Sequence, residues 1–480
     1  MNDILIIGAG VTGTLLARYL SKYELDILVI EKENDVGNVT SSANTAIIHA
    51  GYDPLPGTLK AKLNVLGNKM YDQLADELDV SFVRNGTLTV INSESQWPLF
   101  NELVERAKKN NVPVEILSKE ETLKKEPNLS KDILGSLYAP TGGIINPFEL
   151  VTHAMENAVD NGVNLVLNEE VISIKDFGDY FLVTTNKNKY KSKIVINAAG
   201  LYSDKIANMI EKVDWSITPK KGEYYVLDHT APFIVSRPIF PLPSEKGKGI
   251  LVSPTTSGNY LIGPSSEVVN NKDDYSTDIL TLKNVKSNAT SLVPNIPFYE
   301  SIRVFSGLRA SGSTHDFIIE HAKSNPRFIN LGGIESPGLA SSPAISDYVI
   351  ENFVKPIISL EEKKDYNPRV RKYPRLNKMS EEERSALIKS NPDFGKIVCL
   401  CEAISLGEIL DCLSRSAAPT SIKGVKRRLR TGFGKCQGGY CHADLVTILS
   451  SFYHKPISSI LYDGEGSNIV IEEVKKVNND

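Results

Sequence analysis

The chain carries, close to its N-terminus, the segment Ile4-Leu5-Ile6-Ile7-Gly8-Ala9-Gly10-Val11-Thr12-Gly13. An apolar run leads into three glycines with G-x-G-x-x-G spacing, and a helical pattern follows from Thr14 to about Lys22. A second apolar run, Ile27-Leu28-Val29-Ile30, ends at Glu31. A strand, a glycine turn, a helix, a strand and a terminal acid within about 30 residues are typical of a dinucleotide-binding βαβ unit.

Each position of this motif has a predicted task. Gly8 permits the tight turn, Gly10 lets the backbone approach a pyrophosphate, and Gly13 lets the helix pack closely on the strand. The helix N-terminus then faces the phosphates, and Glu31 accepts hydrogen bonds from a ribose. The motif alone fits NAD or FAD, and a turn without a ligand is the structural alternative.

Composition limits the remaining possibilities. A length of 480 residues predicts two to four domains. The 54 Lys and Arg residues and 58 Asp and Glu residues leave a net charge of −4, which gives no overall basic field for nucleic acid. The sequence shows no apolar run long enough to span a membrane and no basic region of the signal-peptide type. We therefore expect a cytoplasmic protein with no nucleic-acid partner and no transmembrane segment.

The middle of the chain alternates between helical and strand patterns. Helices are predicted near 58–78, 98–110 and 147–161, between strand-like runs at 86–91, 180–185, 193–197 and 259–264. This pattern predicts an α/β fold in which a mixed sheet is inserted into the nucleotide-binding domain. A charged, proline-containing segment, 361–391, lacks a sustained apolar face and is predicted to be a linker.

Three further segments resemble the FAD-dependent oxidoreductases of the D-amino-acid oxidase superfamily: Val39–Gly51, Ile196–Asp204 and Gly332–Leu339. The resemblance covers about the first 360 residues. Within the superfamily, His49-Ala50-Gly51-Tyr52, the segment Pro56–Ala61, and Lys221-Gly222-Glu223-Tyr224-Tyr225 are similar to the branch of L-2-hydroxyglutarate and glycerol-3-phosphate dehydrogenases. The resemblance implies FAD as cofactor and a Rossmann-like FAD-binding domain with an inserted mixed-sheet substrate domain.

The implied domain limits follow from the motifs and the resemblance. The oxidoreductase domain is 1–360, with nucleotide-binding segments at about 1–75, 148–210 and 325–360 and substrate-domain segments at about 76–147 and 211–324. A small helical C-terminal iron–sulfur domain, 392–450, follows the linker, and 451–480 form a tail.

The cofactor-binding residues implied beyond the glycine motif fall into three groups. Small polar side chains can hydrogen-bond the flavin ring, and backbone N–H groups near Gly332 and Gly333 can stabilise the charge of reduced flavin. The remainder belong to the resembling segments. An ordinary polar loop and an ordinary glycine turn are the alternatives. The residues are Thr40, Ser41, Ser42, Asn44, Ala199, Gly200, Gly332, Gly333, Ile334, Glu335, Gly338 and Leu339.

Histidine is the best candidate for removing a hydroxyl proton near neutral pH. His49 follows the presumed flavin-contacting loop and is predicted to be a base or a flavin partner. A buried histidine held by backbone groups is the alternative. His315 and His321 are weaker candidates.

An anionic substrate calls for a fixed cation, and arginine binds carboxylate or phosphate through a planar fork. Arg309, in Ser306-Gly307-Leu308-Arg309-Ala310, resembles the arginine that binds the substrate anion in this superfamily, with a surface ion pair as the alternative. Tyr224 and Tyr225 are candidate pocket residues, of which only one can face the pocket on a strand. Lys221 is either a second anion contact or solvated.

All five cysteines lie in the last fifth of the chain. Cys399 and Cys401 form C-x-C, and Cys436 and Cys441 form C-x4-C. Four thiolates can bind zinc or a [2Fe–2S] cluster. The spacing resembles the bacterioferritin-associated ferredoxin-like domain, which implies a [2Fe–2S] cluster on these four residues, with zinc and free thiols as alternatives. Cys412 lies in a helical pattern and is predicted to be a buried apolar residue.

Basic residues accumulate between Cys412 and Cys441, where the sequence has no acid. We interpret them as offsetting the negative charge of the cluster and raising its potential. A solvated face and a nucleic-acid patch are the alternatives. The residues are Lys423, Lys426, Arg427, Arg428, Arg430 and Lys435.

Together these features predict an FAD-dependent dehydrogenase acting on the secondary alcohol of a small anionic substrate. The resemblance favours oxidation of sn-glycerol 3-phosphate to dihydroxyacetone phosphate. Electrons would pass through the [2Fe–2S] cluster to an acceptor subunit, for example a second flavoprotein, either in the cytoplasm or at the membrane periphery through that partner. The alternatives are an L-2-hydroxyglutarate dehydrogenase, an amino-acid or amine dehydrogenase, and a non-catalytic redox or iron-handling module.

Overall fold

The computed structural model of the protein describes residues 1–243 and 249–471. Within these residues the chain forms an eight-stranded sheet, a nine-stranded sheet and two smaller ones. The N-terminal strand Asn2–Ile7 lies at the centre of the eight-stranded sheet, parallel to both of its neighbours, Lys189–Asn197 and Ile27–Ile30. The predicted βαβ unit is therefore present, with the helix Val11–Leu20 between its strands.

Alternate residues of these parallel strands face two different cores. Ile4 and Ile6 lie in the core on one side of the sheet, whereas Leu5 and Ile7 lie in the core on the other side. Burial on both faces explains why the strands appear in the sequence as continuous apolar runs. The strands of this sheet are Val171–Asp176, Phe181–Thr185, Lys189–Asn197, Asn2–Ile7, Ile27–Ile30 and Asn164–Val166, with Phe328–Gly332 on Lys189–Asn197 and Ile318–His321 beside it.

One predicted domain limit is wrong, because it assigns a strand of the nucleotide-binding sheet to the substrate domain. Ile318–His321 pairs antiparallel with Phe328–Gly332 and so belongs to the nucleotide-binding sheet, although the predicted substrate-domain segment extends to residue 324. The short connection between the two strands folds them together as a hairpin.

The nine-stranded sheet forms the floor of the substrate domain. One of its two long strands, Ile217–Leu227, pairs along its whole length with the other, Ser301–Gly312. The other strands are Glu267–Val268, Tyr260–Gly263, Leu251–Pro254, Ile239–Pro241, Thr87–Ile91, Gly135–Ala139 and Glu115–Ser118. A three-stranded sheet of Ile47–Ile48, Gly143–Ile145 and Phe82–Val83 joins the two domains.

Helices cover both sheets and make up most of the C-terminal domain. The helices of residues 1–360 are Val11–Leu20, Leu59–Glu77, Trp97–Lys109, Lys119–Lys125, Pro147–Asp160, Ser203–Ala207, Ile279–Leu292 and Gly338–Val349. Those that follow are Glu381–Ser390, Leu406–Leu413, Ile422–Leu429 and Cys441–Tyr453, with a hairpin of Ile397–Cys399 and Ile404–Ser405. In the described part of the chain, no helix has both the length and the apolar character needed to cross a membrane.

The predicted tail is part of the C-terminal domain as far as residue 471. The N–H groups of Ile422 and Lys423 donate to the carbonyls of Leu461 and Tyr462, and Ile460 lies in the core of this domain. Residues 472–480 of the predicted tail lie outside the described residues.

The segment 361–391 is not a free spacer. Tyr373 is buried, with its ring stacked 4.3 Å from the ring of His153 and with the Arg415 guanidinium 3.4 Å from its other face. Its hydroxyl donates to Glu156 at 2.7 Å, and Arg415 donates to the same carboxylate at 2.8 Å. His153 and Glu156 lie on a helix of the nucleotide-binding domain, so the connecting segment fastens the C-terminal domain to that domain.

Candidate active site and cysteine centre

Two connected cavities run from the glycine turn to the nine-stranded sheet. The first contains about 1150 Å³ of empty space, part of which is open to solvent. Val11, Thr40, Ser41 and Ile334 line both cavities, so the two form one continuous crevice.

The glycine turn has the geometry that the motif predicts. Gly8 has a φ of +103°, and a Cβ there would lie 2.6 Å from the Ala198 carbonyl oxygen. A Cβ on Gly13 would lie 2.0 Å from the Gly8 carbonyl oxygen, which shows the close packing of helix on strand. Gly10 occupies the N-cap, so no cap side chain lies between the helix N-terminus and an anion.

Glu31 lies at the nucleotide end of the crevice. Its carboxylate accepts hydrogen bonds from the N–H groups of Ala9 at 2.7 Å and Glu33 at 2.9 Å, and burial raises its pKa. Both oxygens keep lone pairs for the hydroxyls of a ribose. Ala199 and Gly200 line the crevice beside it.

The polar side chains of 40–44 support the loop itself. Thr40 donates to the Leu308 carbonyl, and Ser41 accepts from the N–H of Val11. Asn44 donates to the carbonyls of Thr40 and Ser41. Thr40, Ser41 and Asn44 line the crevice, but Ser42 turns its hydroxyl to the backbone of Asn38 and Val39. We therefore correct the prediction that Ser42 contacts the flavin.

The segment Gly332–Leu339 forms another wall. Ile334, Glu335, Gly338 and Leu339 line the crevice as predicted. Gly332 instead faces Trp215, where a Cβ would lie 3.2 Å from Cζ3 of the indole, and Gly333, with a φ of +63°, packs against Gly312. These two glycines permit close backbone packing behind the wall.

The strand pair 217–227 and 301–312 places cations at the far end of the crevice. Lys220 lies opposite Arg309 in the register, and both line the cavity. The Arg309 guanidinium donates to the Ser265 carbonyl at 3.0 Å, which fixes its position. A Cβ on Gly222 would lie 2.6 Å from Nη2 of Arg309, so the missing side chain leaves room for the guanidinium.

Alternation on the same strand decides between the two tyrosines. Tyr224 lines the cavity, with its hydroxyl 3.2 Å from Oγ1 of Thr45 and its ring stacked on Phe305. Tyr225 faces the opposite side and packs against Phe298 in the core under the sheet. Tyr225 is therefore a structural residue, and its predicted place in the pocket is wrong.

The same alternation corrects the prediction for Lys221. It is buried and neither solvated nor in the cavity, because its ammonium pairs with Asp274 at 2.9 Å. Its neighbour Lys220 faces the cavity instead.

His49 lies in the cavity wall beside the flavin-side loop. Its Nε2 is 3.4 Å from Oγ of Ser336, and its ring lies 5.9 Å from that of Phe240. The His49 carbonyl accepts hydrogen bonds from the side chains of Asn64 and Asn68, which fix the backbone at this point.

The other two histidines differ. His315 lines the cavity with a φ of +60°, whereas His321 packs against Phe353 and does not line the cavity. His321 is therefore excluded from the site.

Sequence reasoning missed Lys60 and Ser336. The Lys60 ammonium donates to Glu335 at 2.8 Å and to the His315 carbonyl at 3.0 Å, so it ties two walls of the cavity together. Lys60 lies within the segment Pro56–Ala61 that carries the family resemblance, and this position in the segment was the signal by which the sequence could have identified it.

The four predicted cysteine ligands form two pairs. Sγ of Cys401 lies 3.6 Å from Sγ of Cys436, and a hydrogen bond from Cys441 lowers the pKa of Cys399. Among the described residues, no group of three or more His, Cys, Asp or Glu side chains is arranged to hold a single metal ion. Zinc needs its ligands around one ion, whereas two pairs match the two irons of a [2Fe–2S] cluster. Cys412 is buried, as predicted.

Glycines shape the loop around the thiols. A Cβ on Gly434 would lie 2.3 Å from Cβ of Cys401. Burial raises the pKa of Cys436, but N–H groups of Tyr440, Gly438 and Gly439 lower it overall, as suits a thiolate ligand. The residues present therefore fit the cluster.

Most of the basic residues of this domain do not serve the cluster as interpreted. Five of the six pair with carboxylates, and Lys426 donates to the Gly432 carbonyl in the cysteine loop. The pairs are Lys423–Asp463, Arg427–Asp35, Arg428–Asp35, Arg430–Glu402 and Lys435–Glu300. These ion pairs neutralise the basic charge within the C-terminal domain and at its contacts with the neighbouring domains.

A dinucleotide crevice that opens onto a cavity with a histidine and an arginine fits a nucleotide-dependent oxidoreductase. The chain belongs to the FAD dependent oxidoreductase family, whose model matches residues 3–352. The model of the BFD-like [2Fe-2S] binding domain matches residues 397–451. FAD and a [2Fe–2S] cluster are thus its cofactors.

Individual relatives show which members of this family the chain is similar to. The chain is 46% identical over 478 residues to a glycerol 3-phosphate dehydrogenase of Caloramator mitchellensis, covering 99% of both chains. It is 36% identical to a glycerol 3-phosphate oxidase of Mycoplasma genitalium, covering 76% of this chain and 97% of the relative. A structure described as dithionite-reduced L-α-glycerophosphate oxidase from Mycoplasma pneumoniae with FAD bound matches with a TM-score of 0.74 and 31% identity, covering 77% of this chain and 98% of the other.

Proposed function

We propose that this protein oxidises sn-glycerol 3-phosphate at its secondary alcohol, giving dihydroxyacetone phosphate. The observation that carries the proposal is that His49 and Arg309 line one cavity, which also includes the flavin-side residues Thr40 and Ser41. The names of the full-length relative and of the two Mycoplasma relatives support this substrate.

Binding of the substrate rests on the two cations of the strand pair. Arg309 presents a planar guanidinium, held by the Ser265 carbonyl, and Lys220 adds a second positive charge across the register. A phosphate is a dianion near neutral pH and gains from both charges. The phosphate end is thereby fixed at the sheet, so the glycerol end extends toward the flavin side.

Oxidation of the secondary alcohol breaks one carbon–hydrogen bond and one oxygen–hydrogen bond. Bound in the crevice lined by the glycine turn and Glu31, FAD would supply the acceptor for the hydride that leaves the carbon. His49 accepts the hydroxyl proton, and Ser336, 3.4 Å from its Nε2, helps to orient the imidazole. The Tyr224 hydroxyl, 3.2 Å from Oγ1 of Thr45, adds a polar group to the cavity wall.

We further propose that the electrons leave through the [2Fe–2S] cluster to an acceptor subunit, for example a second flavoprotein. The supporting observation is that the cysteine loop reaches the surface: Leu400, between two ligands, is 74% exposed, and Tyr440, next to another, is 75% exposed. A cytoplasmic location, free or at the membrane periphery through that acceptor, belongs to the same proposal.

The test compares substrates and variants in anaerobic dye-reduction assays. We expect turnover with glycerol 3-phosphate that exceeds turnover with L-2-hydroxyglutarate or amino acids. Arg309→Met should raise KM, and His49→Gln should lower kcat about 10²-fold or more while FAD remains bound. Turnover with only L-2-hydroxyglutarate or only amino acids would refute the substrate. Tyr225→Phe is the control, since this side chain faces away from the cavity.

A further inference from the structure

The basic helix Ile422–Leu429 packs against a short loop of the nucleotide-binding domain, residues 34–38. Asp35 on this loop accepts two hydrogen bonds from Arg428, at 2.7 and 2.9 Å, and one from Arg427 at 3.2 Å. The side chains of Asp35, Arg427 and Arg428 are 3%, 4% and 2% exposed. These contacts are therefore a built, buried interface and not a chance meeting of surface charges.

The contacts extend beyond the ion pairs. Arg427 also donates to Oδ1 of Asn38, and the side chain of Asn34 donates to the Asp463 carbonyl. A Cβ on Gly424 would lie 2.9 Å from Oδ2 of Asp35, so a glycine is what allows the loop to approach the helix. The C-terminal domain thus holds the loop at both of its ends.

The same loop forms part of the FAD crevice. Gly37 and Asn38 line the crevice, and the N–H of Gly37 donates to the carbonyl of Ala9, inside the glycine turn. Beyond the loop, Ser41 binds the N–H of Val11 at the helix N-terminus. The position of 34–38 therefore sets the width of the crevice between the glycine turn and its opposite wall.

The geometry points to Arg427 and Arg428 as positioning residues for FAD: they hold the loop 34–38 in its FAD-binding conformation, so that docking of the iron–sulfur domain and binding of FAD favour each other. Such a coupling is reciprocal, because a contact that raises the affinity for FAD must be strengthened equally when FAD binds. This inference concerns cofactor retention and does not depend on which substrate is oxidised.

The first experiment measures FAD release from the purified full-length holoprotein after dilution, by the recovery of flavin fluorescence, and the Kd of FAD by titration. Arg427→Met is the main variant, since Arg428 still neutralises Asp35 and the domain can remain docked. We expect the Kd to rise at least tenfold. Gly424→Ala leaves every charge in place, and its Cβ would lie 2.6 Å from Cβ of Pro419 and 2.9 Å from Oδ2 of Asp35, so it should act in the same direction by moving the helix away from the loop.

The matched control is Arg415→Met. Arg415 is also a buried arginine at the domain interface, but it pairs with Glu156 and Asp411 and lies outside the loop. Because the loss of Arg415 weakens docking without touching the loop 34–38, its Kd should rise less than that of Arg427→Met. An equal rise in Arg415→Met, or no rise in Arg427→Met and Gly424→Ala, would overturn the inference.

A second readout tests reciprocity without any turnover. Amide hydrogen exchange in 422–429 should slow when FAD is added to the flavin-depleted protein, and this slowing should disappear in Arg427→Met. Exchange that does not respond to FAD in the parent protein would contradict the coupling even if the Kd changed.

Discussion

Replacing Gly222 by alanine should impair substrate binding through Arg309. The new Cβ would lie 2.6 Å from Nη2 of Arg309 and 2.7 Å from Cβ of Pro264. Carbon contacts are favourable near 3.5 Å, so the guanidinium must move by about 1 Å. Pro264 blocks the other direction, and the bond from Arg309 to the Ser265 carbonyl, now 3.0 Å, must lengthen or break.

The size of the effect follows from the interaction that is lost. A hydrogen bond to a charged group contributes about 1.5–3 kcal/mol, which corresponds to a loss of roughly 10- to 150-fold in kcat/KM. If Arg309 binds the substrate anion both before and during the reaction, as we propose, most of the loss should fall in KM.

The assay is anaerobic dye reduction over a range of glycerol 3-phosphate concentrations, with the flavin spectrum as a check of integrity. Gly135→Ala is the control. Its Cβ would lie 2.8 Å from the Leu117 carbonyl oxygen, so it disturbs the same sheet away from the cavity and should lower stability without changing KM. A Gly222→Ala protein with normal flavin content and a KM within twofold of the parent would refute the placement of Arg309.

Two other predictions concern the cysteine centre and the buried histidine. Cys436→Ser should abolish iron–sulfur absorbance, while substrate still reduces the flavin at the parent rate. The control Cys412→Ser, at a buried thiol, should leave the iron content unchanged. Loss of flavin reduction in Cys436→Ser would contradict the prediction of two separable centres. Burial lowers the pKa of His153 to about 3, so below its usual pKa near 6.5 the unfolded chain binds a proton that the folded chain does not. The free energy of unfolding should therefore decrease as the pH is lowered, by about 1.4 kcal/mol per pH unit, or about 2 kcal/mol from pH 6.5 to pH 5. His153→Asn should flatten this slope in urea unfolding measured at both pH values, and an unchanged slope would assign the acid sensitivity to other groups.

The fold could be predicted where local pattern and packing agree. The glycine turn, its two strands and four of the five helices of the first 160 residues follow from apolar periodicity, because each of these elements buries the face that its sequence marks. The three large helices predicted near 58–78, 98–110 and 147–161 are Leu59–Glu77, Trp97–Lys109 and Pro147–Asp160.

The site could be predicted in its residue types but not in its side-chain directions. Tyr224 and Lys220 face the cavity and Tyr225 and Lys221 face away, a choice that depends on the register with Ser301–Gly312. Periodicity shows that neighbours on a strand alternate, but it does not show which face is covered.

The basic stretch of the last domain shows a second limit. Its charges suggested a role toward the cysteines, yet Arg427 and Arg428 pair with Asp35, almost 400 positions earlier in the chain. A long-range ion pair leaves no local trace, since nothing near Asp35 in the sequence identifies its partner.

The stacking of Tyr373 between His153 and Arg415 has a practical consequence for protein engineering. Three parts of the chain meet at one ring, so the iron–sulfur domain is not an interchangeable cassette that can be cut off at residue 391 and fused elsewhere. A truncation there would strip the guanidinium from one face of the tyrosine and leave Glu156 buried without its cation. Grafting this domain onto another flavoprotein would require transplanting the connecting segment and its receiving helix as well.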